Sequence, residues 1–220
     1  MFRMLLSLWR SKDLLSESFD IFKEMLEDVE WMFDMTTDVL LCKKREDEIE
    51  KEIRKREKAV DKAEMEIRRK VIEHLSIKGE DIPASLVLFS VVKDAERIGD
   101  LCIDILSAAH FATTTCPVGI LAKHMEKLET SLESMFSKTR NAFLSSDDET
   151  AKGVMVLYEE TKRDCDKLLD AVLKETSITL KDAVSYALIS VYFRRVAAHI
   201  HHIAASIINP QLTFEHTDEE

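Results

Sequence analysis

In a chain of 220 residues, 42 Asp and Glu against 31 Lys and Arg leave a formal charge of −11. That sign excludes a nucleic-acid binder, because neutralising phosphates needs a basic surface, and it favours a basic partner or a bound cation. Only 4 Gly and 3 Pro punctuate a sequence that is 45% hydrophobic and 33% charged, so long amphipathic helices are expected, in one large or two modest domains able to bury a sizeable core.

Met1 to Trp9 is apolar but too short for a signal-peptide core and cleavage site. It reads as an N-terminal extension over residues 1–10 packed on a bundle. The alternative is a peripheral membrane contact through Phe2, Leu5, Leu6 and Trp9, with Arg3 and Arg10 at the headgroups. Charges interrupt every apolar run well before the roughly 18 residues of a spanning helix. Cys42, Cys102, Cys116 and Cys165 are scattered without a CxxC pair, which argues against disulfides and for four reduced thiols in a cytoplasmic protein.

The first predicted helix runs from about Ser11 to Cys42. Phe19, Phe22, Leu26, Val29, Phe33, Thr36 and Leu40 recur at three and four as a core stripe. Glu24 and Asp28, then Glu30, Asp34 and Asp38, line its flanks as solvated acids or as spare ligands for a neighbouring site. A second helix, about Glu46 to Ser76, opens as a charge run with pairs such as Glu50–Arg54. Its apolar stripe is read from Val60 through Ala63, Ile67, Val71 and Leu75. Gly79 marks a stop, and Asp81-Ile82-Pro83 reads as a cap and proline opening a third helix that reaches about Thr113. After the break Thr115-Cys116-Pro117-Val118-Gly119 come a fourth helix to about Leu144, a cap-rich turn Ser145–Asp148, a fifth helix to about Lys174 and a sixth from Thr179 to Ile208. From Asn209 onward lies a polar tail.

Three long helices, a break and three more form an internal duplication. The class is all-α, two tandem antiparallel three-helix bundles, with repeat 1 over 11–114, repeat 2 over 118–208 and the tail over 209–220. The stretch Val91–Ile105 organises the first repeat. Val91, Ile98, Leu101, Cys102 and Ile105 share one helix face, while Lys93, Glu96, Arg97, Asp100 and Asp104 share the other. Glu96 and Asp100 are four apart, so their carboxylates project together and need either solvent or a cation. Gly99 between them costs about 1 kcal/mol in a helix interior and suits close approach of a backbone or a ligand.

The run Asp94-Ala-Glu-Arg-Ile-Gly-Asp100, with Glu57-Lys-Ala-Val-Asp61, Glu64 and Ile67 on the preceding helix, resembles the signature of the PhoU family, regulators of bacterial phosphate uptake. The resemblance covers nearly the whole chain. It implies metal binding, iron or zinc, through E/D-x-x-x-D motifs, here Glu57 with Asp61 and Glu96 with Asp100. Four carboxylates on two antiparallel helices offer up to eight oxygens, enough to bridge cations, and their repulsion without one raises their pKa values. Arg97 is the alternative counter-charge. Repeat 2 departs from the pattern: the matching positions are Lys162 and Asp166, then Arg194 and Ala198. Arginine and lysine have no lone pair for a metal, so the acidic site is expected in repeat 1 alone, with Arg194 and Arg195 paired to acids.

His199 and His202 lie three apart on one helix face, an acceptable ligand spacing beside the degraded motif. A polar cluster of His199, His201 and His202 is the simpler reading. No histidine follows a Glu at the Glu-x-x-His spacing of di-iron bundles, and no Walker A, GxGxxG or GxSxG motif occurs. The chain therefore reads as non-enzymatic. The resemblance implies a cytoplasmic regulator, expected as a homodimer, that contacts a phosphate transporter ATPase subunit and a sensor histidine kinase. A sodium–phosphate symporter accessory module and a metal-storing helical bundle are the alternatives.

Overall fold

The computed structural model describes residues 14–78, 81–113 and 116–209, the side chains of 46–48 and 78 excepted. The expected extension over 1–10, the stop at Gly79 and the tail from residue 210 lie outside the described residues. Six helices make up the fold: α1 (Leu14–Leu40), α2 (Glu46–Lys78), α3 (Ile82–Ala109), α4 (Gly119–Ser145), α5 (Asp148–Lys174) and α6 (Leu180–Ile208). No strand occurs among the described residues.

Each helix buries the stripe that its periodicity calls for. On α1, Phe19, Phe22, Leu26, Val29 and Phe33 are buried. On α2 the stripe begins earlier than the sequence reading placed it, at Ile49 and Ile53, and continues through Val60, Ile67 and Val71. A spacing of four and seven leaves one narrow seam inside the charge run, which averaging over the polar neighbours hides. Short connections fold α1, α2 and α3 into one bundle and α4, α5 and α6 into a second. The bundles then merge, because α3 packs along α6 and α1 touches α4. Phe33 meets Phe136 at 5.3 Å and Phe193 at 5.8 Å between ring centroids, and Phe22 meets Phe143 edge-on at 5.0 Å. The molecule thus has one continuous core.

The helix starts differ in their chemistry. Asp147 caps α5, accepting from the N–H groups of Glu149 and Thr150 at 3.1 and 3.2 Å. Thr179 and Asp182 form a reciprocal capping box on α6. Asp81 does not cap α3: it adopts a left-handed conformation (φ 59°), and its carboxylate instead lies 3.6 Å from His74 Nε2. Gly119 opens α4 at φ 64°, where a side chain would be strained.

The cysteine expectation is corrected here. Cys42, just past α1, and Cys116, in the linker between the bundles, form a disulfide with Cα atoms 5.9 Å apart; Cys102 and Cys165 are buried thiols. The pair is 74 residues apart in sequence, so no local spacing announces it.

The acidic row on α1 resolves into ion pairs, two of them across helices and the third with the turn that follows α1. Asp28 meets Arg56 at 2.5 Å, Glu30 meets Arg140 at 3.1 Å and Asp38 meets Lys44 at 2.8 Å. Asp34 is the exception, with Oδ1 buried and unbonded. Burial, followed by the charges of Glu133, Glu30, Asp38 and Glu129, pushes its carboxyl up to about 6. Because the folded value exceeds the unfolded one, the neutral acid's contribution is fully present below about pH 4 and is lost as pH rises through about 6. Asp34→Asn is expected to raise stability at pH 7.5 by about 1–2 kcal/mol, discounted for partial solvation, and to change little at pH 4. Thermal melts at the two pH values check this, and an equal shift at both would disprove it.

Candidate metal centre

The first candidate site lies where α2 and α3 run side by side. Val60 and Gly99 are both buried at this crossing. A methyl group built on Gly99 would meet Val60 Cγ1 at 3.5 Å and Met32 Cε at 3.8 Å, which is ordinary contact. Gly99 therefore packs against side chains of α1 and α2, and no ligand is needed to explain it.

Outward from that crossing, Glu57 and Asp61 of α2 face Asp100 of α3. One carboxylate oxygen from each lies within 4.8 Å of the other two, all three residues being half-buried. Burial raises the Glu57 carboxyl, and the charges of Asp61 and Asp100 raise it further. Asp61 is raised by burial, then by Asp100 and Glu64. The cluster is therefore short of positive charge. The Arg97 guanidinium reaches Asp100 at 3.0 Å and supplies part of it, as the counter-charge reading expects. Three converging acids, with Glu57 and Asp61 raised by burial and by neighbouring carboxylates, fit a hard or borderline divalent ion, which such oxygens would hold in place of the missing counter-charge.

Glu96, the fourth predicted ligand, stands apart from this cluster. It is buried, Lys93 Nζ lies 2.8 Å from its Oε2, and Arg97 Nε lies 3.7 Å away. Lys93 also approaches Glu64 at 3.7 Å. Four residues at about 100° each set Asp100 about 40° round the helix and one turn along from Glu96, so Asp100 meets Glu57 and Asp61 while Glu96 sits a turn away beside Lys93.

In repeat 2 the matching positions hold no cluster of acids. Arg194 pairs with Asp166 and approaches the Lys162 carbonyl oxygen at 3.4 Å, the arrangement its sequence suggested. Lys162 lies over the Tyr158 ring and near Glu159.

A second cluster joins the bundles. Asp94 of α3 accepts at Oδ1 from the Nδ1 atoms of His199 (2.9 Å) and His202 (3.3 Å) of α6. Burial alone would raise the Asp94 carboxyl, but the two imidazole bonds outweigh it and hold it below the usual carboxylate range. His201 points elsewhere and stacks on Tyr158 at 4.3 Å. Sequence reasoning singled out the histidines but missed Asp94 as their partner. The contact spans more than a hundred residues, and no local spacing encodes it.

Six helices in two merged three-helix bundles, with the Glu57, Asp61 and Asp100 cluster on the first, define a tandem-bundle helical protein. A family model described as "PhoU domain" matches residues 22–109 and again residues 125–207. The chain belongs to the PhoU-domain family. It resembles the crystal structure of PhoU from Pseudomonas aeruginosa with a TM-score of 0.80 at 16% identity, covering 90% of this chain and 97% of that one. The phosphate transport system regulatory protein PhoU from Streptococcus pneumoniae gives a TM-score of 0.75 at 16% identity, with the same coverage. No curated protein matches the chain by sequence. No described helix is long and apolar enough to cross a membrane.

Proposed function

We propose that this chain is a non-enzymatic regulator of phosphate transport that acts by docking, with repeats 11–114 and 118–208 playing unequal parts. The observation that carries the reading is the pairing of a PhoU-domain match on both repeats with an acid cluster that, among the described residues, lies on the first only. Glu57, Asp61 and Asp100 would hold one or more cations, with Glu96 and Lys93 bracing the rim. A donor set of carboxylates alone favours iron over zinc, since zinc more often takes imidazole or thiolate. Met65 and Ile72, both more than half exposed, follow Asp61 on α2 at four and eleven residues, on the same face. We assign this mixed acidic and apolar face to the partner: the ATPase subunit of a phosphate transporter, with a sensor histidine kinase as the second client, met by a cytoplasmic homodimer.

The test is the metal content of purified protein alongside its variants. Asp61→Asn combined with Asp100→Asn is expected to lower cation affinity at the acid cluster at least 100-fold while leaving helicity intact. Glu96→Gln should retain the ion. Metal content unchanged in the double variant, or lost only in Glu96→Gln, would overturn the ligand assignment. Failure of the double variant to restrain phosphate uptake in cells, where the unaltered chain does, would tie the ion to regulation.

A further inference from the structure

We propose that Asp94, His199 and His202 form a second metal site, specific for a borderline divalent transition ion, that fastens repeat 1 to repeat 2. It stands independently of the acid cluster and uses different chemistry. The three donor atoms already lie within 4.8 Å of one another, with the imidazole nitrogens 2.9 and 3.3 Å from the single carboxylate oxygen. A four-coordinate ion bound at about 2.0–2.1 Å sets its ligands roughly 3.3 Å apart. Two edges of the ligand triangle, at 2.9 and 3.3 Å, therefore match a tetrahedral face within a few tenths of an ångström, and the third, between the imidazoles, is no longer than 4.8 Å. An ion there replaces the two N–H···O bonds, with each imidazole offering Nδ1 as a lone pair and carrying its proton on Nε2.

The ligand supports are rigid. His199 and His202 sit one helical turn apart on α6 with their rings edge to face at 88°, and Asp94 lies on the helix packed against them. The side chains of Asp94, His199 and His202 are 14%, 19% and 32% exposed, so the His202 side is the open one, leaving a fourth position for water. One carboxylate and two neutral imidazoles leave a divalent ion with a net charge of +1, which a half-buried site tolerates. Two nitrogen ligands select zinc, cobalt or ferrous iron over magnesium and calcium, which prefer oxygen. Repeat 2 keeps only Asp166 of its motif's acids, and that one is paired with Arg194, so its histidines take their carboxylate from repeat 1. The ion would thus act as a clamp between bundles.

The experiment titrates metal-stripped full-length protein with Co2+ and Zn2+. We expect one Co2+ per chain with the visible d–d absorption of a tetrahedral site, displaced by one Zn2+, in the wild type and equally in Asp61→Asn with Asp100→Asn. His199→Gln with His202→Gln should abolish the absorption and weaken Zn2+ binding at least tenfold; His201→Gln should not. If the double variant fails to fold, His202→Gln, at the most exposed ligand, carries the same expectation. X-ray absorption of the Asp61→Asn, Asp100→Asn protein loaded with one zinc per chain should show two imidazoles per zinc. An all-oxygen shell, or absorption that survives loss of His202, overturns the proposal. Loss of Co2+ absorption in the Asp61 and Asp100 variant would instead place that signal at the acid cluster.

Discussion

Reduction of the Cys42–Cys116 bond is expected to lower the unfolding temperature by about 8–15 °C. The bond closes a loop 74 residues long, and removing that constraint from the unfolded chain costs about 4 kcal/mol on the chain-entropy model. A chain of this size loses about 2–4 °C per kcal/mol. Cys42→Ser with Cys116→Ser should melt like the reduced protein and ignore added reductant. A thiol assay supplies an independent check. Burial raises the Cys102 thiol beyond the range in which it reacts and pushes Cys165 up to about 12. Native oxidised protein should therefore show no reactive thiol, and native reduced protein two. Two reactive thiols before reduction, or a melting point indifferent to reductant, would refute the pairing. The bond fastens the end of α1 to the linker that joins the bundles. The redox state of its surroundings would then govern how firmly that linker is held.

Asp182→Ala should cost about 2 kcal/mol, lowering Tm by about 4–8 °C. The Asp182 side chain is fully buried and serves two elements at once. Its oxygens accept from Thr179 N–H and hydroxyl at 3.2 and 2.7 Å, closing the capping box on α6. They also accept from Thr113 N–H and hydroxyl at 2.6 and 3.0 Å, which ties the end of repeat 1 to the start of the last helix. Alanine leaves the amides of Thr113 and Thr179 without their acceptor, while the two hydroxyls, 3.1 Å apart on exposed residues, keep each other and solvent as partners. Asp182→Asn should be intermediate, because one retained oxygen still serves Thr113 while the new NH2 group faces the Thr179 donors. Urea unfolding of the three proteins gives the comparison. A loss below about 1 kcal/mol for alanine would mean that solvent reaches these groups.

How much of this was legible in advance depends on how far apart the interacting residues lie. All six helices follow from apolar positions recurring at three and four, and their described ends fall within a few residues of the sequence reading. The first stripe of α2 was the exception, since Ile49 and Ile53 sit singly among charges. The duplication and the acid motifs were also visible, because each depends on residues a few positions apart. Within those motifs the outcome was decided by rotation and by neighbours. Asp100 turns toward Glu57 and Asp61, whereas Glu96 is taken up by Lys93.

The sequence by itself determined the helices, their pairing into repeats and the loss of acids from the second repeat, since periodicity and charge are local properties of the chain. Only the tertiary structure decided that Cys42 meets Cys116, that Asp182 caps α6 while holding Thr113, and that Asp94 stands between His199 and His202. Each of these contacts joins residues about 70 to more than a hundred positions apart. Bringing them together takes the packing of α3 along α6, whose driving force is burial of apolar surface that any well-filled register could satisfy. The polar partners are then fixed by that register, and no spacing along the chain records it.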